Sequence, residues 1–334
     1  MEKAPLDFVS IGDITTDAFI RIKDATVNCD VNRERCKLCL DFGDKIPYEF
    51  VEEARSVGNS PNAAVSATRL GLKTGLVTDV GDDHNGGECS ATLQKNGVSL
   101  EFVTVHKSLP TNYHYVLWYE EERTILIKQQ NYPYKLPPIE PAPRWIYLSS
   151  LAENSLPYHH EIAEYLKSHP ETKLAFQPGT FQMKLGTEAL KDLYKLSKIF
   201  FCNVEESQRI LGEFETTDVK VLLKKMHSLG PEIVVITDGP KGAYAYDGVD
   251  GYFMPPYPDP KPPYERTGAG DAFASTFTAA LALGKTIEEA IKWGPVNSMS
   301  VVQEIGAQKG LLTREKLEEY LANAPANYVP AKIM

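Results

Sequence analysis

The sequence lacks any apolar run that approaches the roughly 20 residues needed to span a bilayer. Its first residues, Met1 to Asp7, also lack the apolar stretch of a signal peptide. Basic residues are not in excess, since 35 Lys and Arg against 45 Asp and Glu give a net charge of −10. These absences predict a cytoplasmic protein that binds neither membranes nor nucleic acids. An anionic substrate remains compatible, because a local anion pocket can form in an acidic protein.

Cysteine is also scarce, with five residues in a chain of 334. Cys36 and Cys39 form a C-x-x-C pair close to Cys29, but no second pair and no neighbouring histidine completes a zinc site. We therefore expect free thiols in a reducing compartment and no metal centre at these positions. The sequence assigns no role to these three cysteines.

The second half of the chain alternates short apolar segments with segments of helical periodicity. Strands are predicted at 145–148, 174–177, 199–202 and 233–237. Helices are predicted near 157–168, 187–196, 204–212, 218–228, 271–283, 286–303 and 313–322. This alternation predicts an α/β fold with a central, mostly parallel sheet and helices on both faces. Ligands of such sheets bind at the carboxyl ends of the strands.

Two segments depart from this alternation. Residues 18–52 are polar and irregular, whereas residues 100–130 alternate apolar and polar side chains around a turn at Glu120-Glu121-Glu122. Such alternation is typical of antiparallel strands with one solvated face. We therefore predict a small β-sheet formed by 18–52 and 100–130. The predicted α/β core comprises residues 1–17, 53–99 and 131–334.

The most informative motif is Thr267-Gly268-Ala269-Gly270-Asp271, which directly precedes a predicted helix. Its glycines allow a tight turn, and the helix N-terminus adds unpaired N–H groups that favour an anion. Asp271 follows at a position from which it could accept a proton from a group attacking that anion. The motif indicates phosphoryl transfer to a hydroxyl. A plain loop-to-helix turn with an acid in the first helical turn would have the same sequence.

Five further motifs stand at predicted strand ends or before a helix. In chain order they are Gly12–Asp17, Gly58–Asn62, Gly81–Gly86, Asn203–Glu206 and Thr237–Gly242. Together with the Gly-Ala-Gly-Asp turn, this ordered set resembles the ribokinase-like (PfkB) family of sugar and nucleoside kinases. The resemblance extends from about Phe8 to Leu321. It implies the three-layer fold of that family, with the small sheet as a lid that covers the acceptor and pairs two subunits in a homodimer.

The resemblance also implies roles at the centre of the site. Asp271 matches the general base, and Gly268, Ala269 and Gly270 match the anion hole that stabilises the transferring phosphoryl group. Asn203 and Glu206 match an N-x-x-E motif that organises Mg²⁺ and the phosphates of ATP, often through water. The same two residues also fit a helix capping box.

The remaining site residues are assigned by the same resemblance. Acceptor hydroxyls are expected at Asp17, Gly58, Asn59 and Asn62. Nucleotide contacts are expected at Asn203, Thr237, Asp238, Gly239, Gly242, Thr267 and Asn297. Glu265 stands where many relatives have an Asp that helps to hold a monovalent cation, and this longer side chain leaves a requirement for K⁺ open.

The resulting expectation is an ATP- and Mg²⁺-dependent kinase that phosphorylates a hydroxyl of a small sugar or sugar acid. A nucleoside kinase of the same fold is the alternative, because Tyr113, Tyr115 and Phe181 could form the walls around a base. A non-catalytic binding protein is disfavoured, since binding alone does not need the base Asp271. The sequence does not name the acceptor.

Overall fold

The computed structural model describes residues 4–29, 36–120 and 122–334. Its strands are β1 (Phe8–Ile11), β2 (Thr15–Ile22), β3 (Thr26–Cys29), β4 (Cys36–Cys39), β5 (Tyr48–Val57), β6 (Thr74–Gly81), β7 (Val103–His106), β8 (Asn112–Tyr119), β9 (Glu122–Leu126), β10 (Trp145–Leu148), β11 (Lys173–Phe176), β12 (Ser197–Asn203), β13 (Ile233–Thr237), β14 (Ala243–Tyr246), β15 (Gly251–Met254) and β16 (Ala331–Lys332). Its α-helices are α1 (Asn59–Arg69), α2 (His84–Lys95), α3 (Leu156–Ser168), α4 (Thr180–Leu185), α5 (Lys191–Leu196), α6 (Val204–Leu211), α7 (Val219–His227), α8 (Ala269–Ala282), α9 (Ile287–Val301) and α10 (Arg314–Ala322).

A ten-stranded sheet forms the centre of the molecule, in the order β16-β15-β14-β13-β12-β11-β10-β1-β6-β7. The strands from β7 to β13 run parallel, whereas β14, β15 and β16 add an antiparallel edge. The four strands predicted in the second half are confirmed within one or two residues. The antiparallel edge was not predicted from the sequence.

Helices cover both faces of this sheet, which confirms the predicted three layers. Alternate residues of a strand point to opposite faces, so Phe8 of β1 packs in one core with Phe277 of α8 and Trp293 of α9. Its neighbour Val9 packs in a second core with Ile162 of α3, on the other face. None of the helices in the described part of the chain has the length and apolar character needed to cross a membrane.

A smaller four-stranded sheet, which we call the lid sheet, has the order β5-β2-β8-β9. The strands β8 and β9 pair antiparallel as predicted, and Glu121 of their turn lies outside the described residues. The central pair β2–β8 is parallel, so the lid sheet is mixed and not purely antiparallel.

Two predicted boundaries of the lid sheet differ from the structure. Strand β7 pairs with β6 at the edge of the large sheet, although its residues lie within the segment 100–130. Its alternating sequence reflects a half-exposed edge strand, which has the same pattern as a hairpin strand with one solvated face. Strand β2 belongs to the lid sheet from Thr15 onward, so Asp17 lies in that sheet and not in the α/β core.

The expectation of free thiols at Cys29 and Cys36 is wrong, because a disulfide joins the two residues. They stand directly opposite each other in the exposed hairpin β3–β4, and such register places facing side chains within reach of one another. Cys39 is a free thiol, as predicted. The described residues contain no group of three or more His, Cys, Asp or Glu side chains positioned to hold a metal ion.

Candidate active site

A cavity of about 430 Å³ lies between the carboxyl ends of the central strands and the lid sheet. The large sheet contributes residues that follow β1, β12 and β13, and the lid sheet contributes side chains of β2, β8 and β9. The predicted site residues that line this cavity are Asp17, Gly58, Asn59, Asn62, Asn203, Glu206, Thr237, Thr267, Gly268, Gly270 and Asp271. Eleven residues separated by up to 254 positions therefore meet in one place.

Asp271 lies in the first turn of α8, and its carboxylate accepts three amide hydrogen bonds. Asn59 donates to Oδ1 over 2.7 Å, Asn62 donates to Oδ2 over 2.8 Å, and Gln177 donates to Oδ1 over 3.2 Å. Burial raises the pKa of Asp271, and the three amide donors oppose that shift without cancelling it. A carboxylate with a raised pKa is a stronger base, and this one faces an open cavity.

Two amide side chains hold these donors in place. Gln308 donates to Asn62 Oδ1 over 3.0 Å, which directs the Nδ2 group of Asn62 towards Asp271. Gln177 accepts a hydrogen bond from the Tyr147 hydroxyl, which in turn directs its own Nε2 group towards the carboxylate. Gln177 follows β11 and was not predicted, because no sequence pattern marks a lone glutamine at a strand end.

The turn before α8 requires glycine at Gly268. Its backbone is left-handed, with φ of 81°, and a Cβ atom would lie 2.3 Å from Cβ of Ala307. Gly268 thus lets the chain turn tightly into α8, whose first residues Ala269, Gly270 and Asp271 have N–H groups without an intrahelical acceptor. A Cβ at Gly270 would meet no atom within 4 Å, so open space lies next to this helix N-terminus.

Asn203 and Glu206 form the capping box of α6. The Asn203 side chain accepts from the Glu206 N–H over 2.8 Å, and Glu206 Oε2 accepts from the Asn203 N–H over 2.8 Å. Burial is the main cause of the raised pKa of Glu206. The capping box uses one carboxylate oxygen, and Glu206 also lines the cavity. The pair therefore fits a structural role and leaves a carboxylate oxygen on the cavity side for Mg²⁺ or its waters.

A second cavity of about 400 Å³ adjoins the first at the Gly-Ala-Gly turn. Thr237, Gly270 and Arg266 line both cavities. The other predicted residues on its walls are Gly239, Gly242 and Ala269. Apolar side chains that suit a flat ring complete it, namely Pro240, Pro256, Pro295, Met299 and Val302.

Two predicted nucleotide contacts line neither cavity. Asn297 is fully buried, donates to Thr276 over 2.8 Å and accepts from the Leu312 N–H over 2.9 Å, so its amide holds α8, α9 and the following loop together. The prediction for Asn297 is therefore wrong. Asp238 follows β13, and its carboxylate lies 3.5 Å from Lys241 Nζ and outside both cavity walls.

The end of the first cavity farthest from the Gly-Ala-Gly turn contains two further carboxylates. Asp17 of β2 lies with Oδ1 3.3 Å from Nδ1 of His114 on β8. Asp13, which follows β1, accepts hydrogen bonds from the Tyr134 hydroxyl and from Gln129. The sequence motif Gly12–Asp17 contains Asp13, but its pattern gave no reason to select that residue.

Glu265 is 3% exposed and lies below the anion-hole turn. Its Oε1 accepts from the Thr267 N–H over 2.7 Å and from the Thr267 hydroxyl over 2.5 Å, and Arg123 Nε of the lid sheet lies 3.5 Å away. Its Oε2 is buried and has no hydrogen-bond partner among the described residues. That free oxygen fits a monovalent cation, while the guanidinium already supplies one positive charge there.

By its fold, the chain is a ribokinase-like α/β protein. Over 95% of this chain and 99% of the other, it superposes with a TM-score of 0.80 on the structure of ribokinase from Arabidopsis thaliana complexed with ribose and ATP, at 20% identity. Residues 35–314 match the model of the pfkB family of carbohydrate kinases.

Among curated proteins, the chain is similar to ribokinase of Bacillus subtilis, with 28% identity over 274 residues, which is 79% of this chain and 87% of that protein. It is also similar to 5-dehydro-2-deoxygluconokinase of Bacillus subtilis, with 25% identity over 317 residues, covering 85% and 94%. The chain belongs to the pfkB carbohydrate kinase family, and it is a phosphotransferase with an alcohol group as acceptor.

Proposed function

We propose that this enzyme transfers the γ-phosphoryl group of ATP to a hydroxyl of a small sugar or sugar acid, with Asp271 as the general base. The observation that carries the proposal is the position of Asp271. Its buried carboxylate, with a raised pKa, lies where two cavities meet at the N-terminus of α8. One cavity suits a hydroxylated acceptor and the other suits a nucleotide.

In the proposed step, the acceptor hydroxyl occupies the first cavity and gives its proton to Asp271 as its oxygen attacks the γ-phosphorus. The new oxygen–phosphorus bond forms while the bond between the γ-phosphorus and the β,γ-bridging oxygen breaks, and ADP leaves with that electron pair. Asn59, Asn62 and Gln177 hold the carboxylate still during the transfer. Fixed geometry contributes because the reacting atoms start close together.

The N–H groups of the Gly268-Ala269-Gly270 turn would stabilise charge on the γ-phosphoryl oxygens. Mg²⁺, when bound near Glu206, supplies further neutralisation of the phosphate charge. The contacts proposed on the nucleotide side involve Asn203, Thr237, Gly239, Gly242 and Thr267. The apolar walls of the second cavity would hold the base, and Arg266 faces both cavities from the adjoining turn.

The test is Asp271→Asn, with ATP consumption measured in the presence of an acceptor. Asparagine keeps the shape of the side chain but cannot accept the proton, so kcat should fall by about 10²–10⁴-fold. Binding of ATP should change little, because Asp271 is assigned to the acceptor. Asp238→Asn, in the same nucleotide-side segment but outside both cavities, is the matched control and should retain activity. A fully active Asp271→Asn variant would exclude the assignment of the base.

A nucleoside acceptor is the alternative, and one observation favours it. Phe181, Ile125 and Ile127 line the first cavity and give it the apolar surface that a base would contact. Tyr113 and Tyr115 do not line it; Tyr113 donates to Glu53, and the two rings pack against each other. Comparing ribose with adenosine, inosine and cytidine as acceptors distinguishes the two functions by their kcat/KM values.

We also propose that the lid sheet closes over the acceptor and pairs two subunits. Its strands carry large apolar side chains that are exposed in the single chain, among them Tyr48 (60%), Val51 (46%), Tyr115 (49%) and Leu126 (50%). A contiguous surface of this kind is typical of a protein interface. Light scattering should give the mass of a dimer, and Val51→Glu with Leu126→Glu should convert it to a monomer. A wild-type monomer at micromolar concentration would exclude this proposal.

A further inference from the structure

Asp13 is a carboxylate on the wall of the acceptor cavity, and no role in the proposed step has been given to it. Tyr134 donates to its two oxygens over 2.8 and 2.9 Å, and Gln129 donates to Oδ2. These donors come from the segment that follows the lid sheet, so the carboxylate is fixed in orientation by two side chains. A carboxylate oxygen has more than one acceptor direction, so Asp13 can still accept from a hydroxyl in the cavity.

Asp17 provides an independent sign that this end of the cavity is built for a ligand. The residue is 8% exposed, yet its Oδ1 has no hydrogen-bond partner among the described residues. Nε2 of the neighbouring His114 is likewise buried and unpartnered. Buried polar atoms normally have partners, because leaving one unpaired costs about 1–3 kcal/mol. Hydroxyl groups of a bound acceptor would supply these partners.

The charges on the described cavity walls indicate which acceptors fit. Three carboxylates surround the acceptor end, those of Asp13, Asp17 and Asp271. The two cationic side chains at that end already face acids: His114 lies 3.3 Å from Asp17, and Arg123 lies 3.5 Å from Glu265. A carboxylate on the acceptor would therefore meet like charges without an unpaired cation to compensate. Like charges brought together at a binding site cost several kcal/mol.

From this geometry, and resting on the proposed kinase function, we propose that Asp13 is a third acceptor-binding carboxylate and that the enzyme selects uncharged polyhydroxyl acceptors over sugar acids. Asp13 and Asp17 accept from hydroxyls at the end of the cavity away from the Gly-Ala-Gly turn. Asp271 accepts from the hydroxyl that is phosphorylated. A neutral acceptor satisfies all three acids, whereas an acidic one is repelled by them.

The protonation of Asp13 makes this selection dependent on pH. Burial raises the pKa of Asp13 to about 7, opposed by its hydrogen bonds from Tyr134 and Gln129. The titratable groups that face it are Tyr132, Tyr134, Tyr158 and Asp79, the last paired with His106 over 2.6 Å. The pKa values of the three tyrosines are raised, so they stay neutral. Below pH 7 Asp13 becomes neutral, whereas a sugar acid stays ionised, so the repulsion weakens.

The experiment compares matched acceptors on the wild-type enzyme: ribose with ribonate, glucose with gluconate, fructose with 2-keto-3-deoxygluconate, and three nucleosides. ADP release is measured at pH 6, 7 and 8. At pH 8, kcat/KM for the best neutral acceptor should exceed that for the best acid by at least about 100-fold. The ratio should narrow several-fold at pH 6. Taking a ratio at each pH cancels the titration of Asp271, which affects both acceptors.

The variant Asp13→Asn should raise KM for the neutral acceptor about 10-fold or more while kcat changes less. It should also shrink the preference over acids and make that preference independent of pH. Asp79→Asn is the matched control, because it also removes a buried carboxylate but lines neither cavity. That control should keep the wild-type ratio and its pH dependence. Thermal unfolding of both variants shows whether each is folded.

Failure of the inference and failure of the kinase function give different results. If an acid is phosphorylated as well as or better than every neutral compound, the inference is overturned and the kinase function stands. If the preference for neutral acceptors does not change between pH 6 and 8, or survives in Asp13→Asn, Asp13 is not its cause. If no acceptor causes ADP release, the proposed function fails and the inference falls with it.

Discussion

The burial of Asp13 has a consequence for stability that can be measured without any substrate. An aspartate with a pKa of 3.8 in the unfolded chain and about 7 in the folded protein binds more protons when folded. The free energy of unfolding must then fall as pH rises through this window. Above pH 7 the full shift would cost about 4 kcal/mol, at about 1.4 kcal/mol for each pH unit. Solvent reaches the carboxylate from the cavity, so we expect roughly 1–3 kcal/mol.

The substitution Asp13→Asn removes this titration. Relative to the wild type, the variant should gain roughly 1–3 kcal/mol in unfolding free energy between pH 4.5 and pH 8. Weaker hydrogen bonds from Tyr134 and Gln129 would lower the stability of the variant by a similar amount at every pH, so they do not alter this difference in slope. The assay is urea denaturation at constant ionic strength across that pH range, without ligands.

The matched control is Asp44→Asn, which removes an exposed carboxylate in the loop before β5. Its stability curve should run parallel to that of the wild type. If the curve for Asp13→Asn also runs parallel to the wild type, the carboxylate of Asp13 is not desolvated in the folded protein. The pH dependence inferred for acceptor selection would then be refuted.

Three further predictions follow from the turn before α8 and its neighbours. Gly268→Ala should lower the unfolding free energy by about 1–3 kcal/mol in urea denaturation, because φ is 81° and Ala307 occupies the space, whereas Gly270→Ala should lower it by less than about 1 kcal/mol; equal losses would contradict this. Gln177→Ala removes one donor to Asp271, so kcat should fall about 3- to 30-fold, with the basic limb of its pH profile keeping its shape; an unchanged kcat would exclude a positioning role. Arg123→Gln should increase the stimulation of activity and of thermal stability by K⁺ over tetramethylammonium, because the cation near Glu265 is lost; identical responses of variant and wild type would show that Arg123 does not compete with K⁺.

The sequence predicted the features that depend on a few neighbouring residues. The Gly268 turn, the capping box of Asn203 with Glu206, and the strand before each motif are local patterns with a physical cause in the backbone. Because parallel strands end on the same side of a sheet, the order of these motifs also placed most site residues in one cavity.

Contacts between distant residues could not be predicted in this way. Gln177 reaches Asp271 across 94 positions, and Tyr134 reaches Asp13 across 121 positions, and no periodic pattern records either contact. The facing register of Cys29 and Cys36 likewise depends on how β3 and β4 pair.

Asn297 shows the opposite error, in which a resemblance suggested a ligand contact. The position is fully buried, and its hydrogen-bonding groups are used by Thr276 and Leu312. A polar residue on the inner side of a helix has the same one-letter signature whether it binds a ligand or holds two helices together. Only the packing of α8 against α9 distinguishes the two.

The central claim is that ATP donates a phosphoryl group to an acceptor hydroxyl that is deprotonated by Asp271. The most direct measurement incubates the wild type and Asp271→Asn with ATP, Mg²⁺ and the panel of neutral sugars, sugar acids and nucleosides, and follows ADP and phosphorylated product together by mass spectrometry. We predict equal amounts of ADP and a singly phosphorylated product for the wild type, and a loss of about 10²–10⁴-fold for the variant. Equal rates of product formation by the two proteins, or ADP released without a phosphorylated acceptor, would contradict the account.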